Sequence, residues 1–364
     1  MGGALGEGHV WPNALFVATS WTGEDAIRAA DQGLRPRIDY VELARAFGSS
    51  FVHYNDLRFK ERWAPRSQRT RLRRLWFEWH LARLARRRAA ENGTDVLVAL
   101  SEGVGAWLGG RDARWRTVTV LHHPLSPRRH PFYRLTRFAQ RTERLVFIST
   151  AERDEFATRF PVPAEKSAVI LGNIDTDFYR PRDEGAIAAA RPFIFGFGMS
   201  KRDYATLVAA MRLLPSIDCV IAAATLFDDA PVDFGPPPLP RNVKIFTRFD
   251  LRMVHRLISQ CRFVVIPLEP KLTQWAAGCT AAMVTQALGA PLIITRTPAI
   301  VEYLPASNHD LLCPPDDAGR LAELIEALWS RPGTHADRGT EGRRHVELHH
   351  AVRDYPARMR DVLP

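Results

Sequence analysis

Paired cysteines, lysine and a recognisable leader are what this chain has least of. Its four cysteines, Cys219, Cys261, Cys279 and Cys313, are widely spaced, with no CxxC pair and no Cys/His ligand pattern. That argues against a disulfide framework and a structural zinc, and for a reducing, cytoplasmic setting. Only five of the 50 basic residues are lysine. Such an arginine excess arises from coding bias as readily as from phosphate contacts. No basic stretch precedes an apolar core at the N-terminus, where the first cation is Arg28, so no secretory leader is expected. One stretch, 272–295, runs 24 residues without a charge, long enough to span a bilayer. It contains Thr273, Gln274, Thr280, Thr285, Gln286 and a Gly289-Ala290-Pro291 break, which predicts a buried helix followed by a strand. No repeat of solenoid length is visible.

What is present is ordinary globular material with a basic bias. The 364 residues are 46% hydrophobic and 25% charged, enough for two domains of roughly 150–200 residues, each with its own core. The net charge of +10 favours an anionic partner, whether nucleotide, nucleic acid or anionic lipid.

Short apolar runs alternate with amphipathic helices along the chain, which is the pattern of parallel α/β sheets. In the first half, strands are expected at 13–20, 94–100, 116–121, 144–149 and 166–171, with shorter elements at 38–43 and 50–54. The strand at 116–121 ends in His122-His123-Pro124, and the C-terminal edge of a parallel strand is where such sheets bind ligands. Asp175 and Asp177 form a DxD, here read as turn and capping residues leading into a linker rather than as a metal site. In the second half, strands are expected at 193–197, 218–223, 243–246, 263–268 and 291–295. The first of these breaks at Gly196 and Gly198 and is followed by Lys201 and Arg202, then a helix. Glycines permit close backbone approach, amides at the helix start point outward, and two cations add charge, a design suited to a polyanion.

The most basic segment is 58–88, where Leu72, Leu75, Trp76 and Trp79 fall at helical spacing among Arg71, Arg73, Arg74, Arg83, Arg86, Arg87 and Arg88. The spacing predicts a helix whose aromatic face packs on the core and whose cationic face is solvated. A helix lying on anionic membrane through Arg71–Arg88 is the alternative. Aromatics on a buried face make nucleic-acid binding the poorer expectation.

Four stretches in order, 171–181 (LGNIDTDFYRP), 198–210 (GMSKRDYATLVAA), 278–294 (GCTAAMVTQALGAPLII) and 312–324 (LCPPDDAGRLAEL), resemble the retaining nucleotide-sugar glycosyltransferases of family 4. The resemblance covers most of 140–330, and the first half follows it in element order. It implies an α/β GT-B fold, with two Rossmann-like domains facing across a cleft: 1–178 for the acceptor, 179–340 for the donor, and a closing helix over 341–364 that packs back on the first domain. A nucleoside diphosphate sugar would be the co-substrate, with no metal or other cofactor, and the acceptor is unidentified. Gly198, Lys201 and Arg202 would hold the diphosphate. Gly278, Cys279 and Thr280 would offer amides to phosphate or sugar, and Arg248 and Phe249 would border the nucleobase. His122 or His123, with His122 favoured, corresponds to the active-site histidine. In that scheme the departing phosphate takes the acceptor proton, so no carboxylate pair is required.

The chain also departs from the family pattern. Two glutamates eight residues apart are usual there, and the corresponding residues here are Ala276 and Val284. Valine cannot bind ribose hydroxyls. Thr280, Thr285 or Gln286 would have to compensate, or the sugar nucleotide is held differently. The first motif also has Met199 where an arginine is common. The missing acids equally fit a degenerate GT-B protein that binds a nucleotide or protein partner without catalysis.

Overall fold

A computed structural model describes residues 12–57, 71–109, 114–181, 191–198, 201–223, 232–270 and 274–364. Met199, most of the linker after Pro181, the first part of the basic segment, and the side chains of Arg71 and Leu72 lie outside the described residues.

Two six-stranded parallel sheets form the frame. The first holds β1 (Ala14–Ala18), β2 (Ser50–His53), β3 (Val96–Ala99), β4 (Arg116–Leu121), β5 (Arg144–Phe147) and β6 (Ser167–Val169), in the order β2-β1-β3-β4-β5-β6. The second holds β7 (Phe193–Gly198), β8 (Asp218–Ala223), β9 (Val243–Phe246), β10 (Val264–Ile266), β11 (Leu292–Thr295) and β12 (Leu312–Cys313), in the order β12-β11-β10-β7-β8-β9. Their central strands are buried on both faces, as Phe16, Val98, Phe195 and Ile266 illustrate, which explains continuous apolar runs rather than alternation. Strand order reverses beside β1 in one sheet and β7 in the other, and ligands of such sheets bind outside the carboxyl ends at these switch points. The charge-free stretch resolves into helix Cys279–Ala287 and β11. Among the described residues no helix is long and apolar enough to cross a membrane.

The closing segment links the halves. Helix His335–His349 packs on helix Cys279–Ala287, while Tyr355 and Met359 enter the first domain's core beside Phe16 and Leu43. Asp175 behaves as a turn residue: its Oδ1 accepts from the amides of Asp177 (3.1 Å) and Phe178 (3.2 Å). Arg37 holds the same carboxylate through its backbone amide (2.8 Å) and Nη2 (2.9 Å), and Arg353 reaches Asp177 at 3.2 Å.

Helix Arg71–Asn92 corrects one expectation. Trp76 and Trp79 are exposed, at 41% and 36%, and the buried face is Phe77, Leu81, Ala82, Ala85 and Ala89. Large aromatics suggested the core side, but the helix packs closely against helix Glu102–Leu108, and at Gly103 that approach leaves no room for a side chain. A Cβ on Gly103 would overlap the Glu78 carboxylate. Gly103→Ala should therefore cost about 1–3 kcal/mol in urea unfolding, while Gly333→Ala, with open space around it, should change stability by less than about 0.5 kcal/mol.

Candidate active site

The carboxyl ends of the two sheets face one another, and two adjoining cavities lie between them. The larger, about 660 Å³, is bordered by the turn after β1 (Ser20 to Gly23), the 35–39 segment, and the linker residues Asn173, Asp175 and Tyr179. The smaller, about 310 Å³, is bordered by His122, His123, Gly172, Gln274, Ala276, Cys279 and Tyr303. Asp39, Asn173 and Thr280 line both, so they mark the junction.

Both histidines of the pair thus reach the smaller cavity, held by a charged cluster behind them. Glu102, 1% exposed, accepts the His122 amide at 3.2 Å and faces Arg129 Nε at 3.4 Å. Burial would raise its pKa, but Arg129 and the two histidines outweigh this and hold it at about 2. Arg129 also lies 4.0 Å from Glu78, whose carboxylate accepts from Arg74 at 3.1 Å. His123 is pushed down to about 4, chiefly by burial, so its ring is neutral at physiological pH.

On the facing domain, Gly198 has φ +139° and lies beneath the Arg202 guanidinium, leaving no room for a Cβ. Arg202 donates to Phe197 O at 3.1 Å, and its burial lowers its pKa. Lys201, in the left-handed region at φ +57°, extends to Glu269 at 3.3 Å. Both lie at the switch point beside Leu268, against which Gly278 also packs. Gly278 (φ +90°) caps helix Cys279–Ala287, whose first amides have no carbonyl one turn back within the helix. The Cys279 side chain is buried, and Thr280 is exposed at the cavity junction.

Two expected ribose contacts are overturned. Thr285 is 0% and Gln286 2% exposed. Thr285 Oγ1 donates to Ala281 O (2.8 Å) and Gln286 Nε2 to Tyr303 O (2.9 Å). They occupy the face of the helix turned toward the core and helix His335–His349, where Gln286 meets Gly342, so neither replaces the missing acids. Phe249 is partly buried against the core and Arg248 is exposed, and neither borders the two cavities.

Several residues here carry no motif in the sequence. Glu302 accepts from Ser149 Oγ (2.7 Å), the Thr150 amide (2.9 Å) and the Ala151 amide (3.2 Å), capping helix Thr150–Arg159 of the opposite domain. In return Glu152 Oε1 accepts the Ala276 amide at 3.1 Å. Tyr303 OH donates to Ile148 O (2.7 Å) and accepts the Gly172 amide (2.9 Å). A serine or threonine cap announces its helix locally, but a cap supplied from 153 residues away gives no local signal. Among the described residues no three His, Cys, Asp or Glu side chains converge as a metal-holding group.

Glu152 generates a pH prediction. Burial raises its carboxyl from 4.5 to about 7, against the lowering effect of the Ala276 and Trp275 amides. The folded state then keeps a proton that the unfolded chain releases near 4.5, so stability falls as pH rises between these values. Glu152→Gln keeps an acceptor and has no proton to lose. Its melting temperature should match wild type near pH 4.5 and exceed it at pH 8, by about 3 kcal/mol of stability. Parallel curves would contradict the assignment.

Residues 31–178 match the family Glycosyltransferase Family 4, the half in which the sequence motifs are weakest. No curated protein sequence matches the chain. Among solved structures, sucrose-phosphate synthase from Thermosynechococcus elongatus superposes with a TM-score of 0.71 at 14% identity, covering 96% of this chain and 98% of that one. HepE of Anabaena in complex with UDP-glucose gives 0.68 at 17% identity, covering 96% and 100%. A trehalose-6-phosphate synthase studied for glycosyl transfer with retention gives 0.65 at 12%, covering 96% and 98%. The chain therefore has the GT-B fold of two Rossmann-like domains, and over residues 31–178 it resembles Glycosyltransferase Family 4.

Proposed function

We propose that this protein is a cytoplasmic, metal-independent glycosyltransferase that moves a sugar from a nucleoside diphosphate sugar to an acceptor, with retention of anomeric configuration. One observation carries this reading: the switch points of two parallel sheets meet at adjoining cavities, where His122 of one domain and Thr280 of the other line the same wall, while Lys201 and Arg202 stand outside that lining, at the end of β7 beside Leu268, against which Gly278 packs. HepE, a neighbour in fold, binds UDP-glucose, which makes that compound the first donor to test.

In this scheme the bond from the anomeric carbon to the phosphate oxygen breaks while the acceptor oxygen bonds to the same carbon. The acceptor proton passes to the departing phosphate. Negative charge grows on the diphosphate, and groups fixed near it lower the barrier. Lys201 would exchange Glu269 for the diphosphate, while the amides opening helix Cys279–Ala287 receive phosphate or sugar oxygens. Arg202, tied to the end of β7, supplies charge from its place over Gly198. His122 positions a sugar hydroxyl from the smaller cavity.

The test is transfer or donor hydrolysis over a nucleotide-sugar panel beginning with UDP-glucose. His122→Ala should lower turnover by about 10²-fold or more with UDP affinity nearly unchanged, and Lys201→Ala should weaken UDP binding. The loss of acids at Ala276 and Val284, with Thr285 and Gln286 turned inward, favours a second reading in which the protein binds a nucleotide without catalysis. UDP binding with no turnover of any donor would support that second reading and overturn the first.

The exposed Trp76 and Trp79 favour peripheral contact with an anionic membrane through helix Arg71–Asn92. Their rings flank His80, and the Arg83 guanidinium lies 5.8 Å from the Trp79 ring, an aromatic and cationic mixture typical of interfacial helices. Pelleting with phosphatidylglycerol vesicles should be strong at low salt, fade at high salt, and weaken in Trp76→Ala/Trp79→Ala. Equal binding to neutral vesicles, no binding, or preference for single-stranded nucleic acid would count against it.

A further inference from the structure

The larger cavity sits at the first domain's switch point, between the turn after β1 and the linker. Two arginines border it, and they are in different situations. Arg37 is fully engaged: its amide and Nη2 bind Asp175, and the same Nη2 reaches Asp177. Asp175 is 5% exposed, so the guanidinium is neutralised in place. Arg35, two residues earlier, is exposed, and its side chain has no hydrogen-bond or ion-pair partner among the described residues. It borders the larger cavity and not the smaller, so it lies away from the junction where Asp39, Asn173 and Thr280 meet. The remaining polar lining combines hydroxyl and amide groups, Ser20, Thr22, Asn173, Tyr179 and Thr280, with two carboxylates: Asp175, held by Arg37, and Asp39, at the junction with the smaller cavity.

We propose that this cavity is the acceptor site, and that the acceptor is a hydroxyl-rich molecule carrying a phosphate or carboxylate, bound by Arg35 at the end remote from the reacting hydroxyl. This rests on the transferase reading and names the substrate class it left open. An arginine without a counter-ion in a concave wall suits bidentate capture of an oxyanion. Asp39, which lines the junction together with Asn173, accepts from the acceptor's hydroxyl there. The arrangement thus fixes both ends of the acceptor, with charge at one and a carboxylate at the other.

The experiment is calorimetric titration in saturating UDP, with glucose 6-phosphate, glucuronate and glucose as soluble probes. Vesicles of phosphatidylinositol, compared with phosphatidylcholine, test a lipid headgroup as the source of the same chemistry. At least one anionic probe should bind at least tenfold more tightly than its neutral counterpart. Arg35→Ala should lower that affinity about tenfold or more, Arg35→Lys should restore part of it, and UDP affinity should be unchanged in both. Binding of every anionic probe no tighter than that of its neutral counterpart, unchanged affinity in Arg35→Ala, or no binding of any anionic probe would overturn the proposal. Failure of UDP to bind would count against the transferase reading alone, since the dependence of anion binding on Arg35 is read separately.

Discussion

Two carboxylates exchanged between the domains hold the cleft in register. Glu302 of the second domain caps a helix of the first, and Glu152 of that helix accepts an amide of the loop that leads into helix Cys279–Ala287. A carboxylate at a helix N-terminus gains from both the free amides and the helix dipole. Because each contact spans the interface, neither domain completes its own edge of the site. Tyr303, bonded to Ile148 and Gly172 and stacked on His350, adds a third tie where the closing segment crosses between domains. The position of His122 relative to Thr280 follows from these contacts.

Behind the first domain's edge lies a charged group that helps fix the histidine pair: Glu78, Glu102 and Arg129 are buried, and Arg74 reaches Glu78 from the surface. Buried charges cost desolvation and are tolerated when partners surround them. Here Arg129 faces two carboxylates, and one of those carboxylates also receives the His122 amide. The close packing that brings Glu78 to the cluster depends on Gly103, so the alanine-lined face of helix Arg71–Asn92 and the site are parts of one construction. With Ala and Phe turned inward, that helix presents its tryptophans and arginines to solvent.

Most of the sheet structure is legible in the sequence, because parallel strands buried on both faces are short apolar runs between helices. The limits of β4 and β8 fall where the residues place them. Helix Arg71–Asn92 was misleading because residue size suggested burial, whereas close packing selected Phe77 and three alanines. At the site, His122 and Thr280 could be found by their place after a strand or at a helix start. Thr285 and Gln286 pointed to ribose only by chemical type, and helical phase turns them inward. Asp39, Glu152 and Glu302 have no local signature, since their partners are distant in sequence.

The central claim is that a sugar nucleotide lies at the junction of the two cavities, and its most direct test is a crystal structure of the protein with UDP-glucose. The account predicts the diphosphate beside Lys201 and the start of helix Cys279–Ala287, with the sugar between Thr280 and His122. A nucleotide bound anywhere else, or a cleft left empty at saturating UDP-glucose, would contradict it.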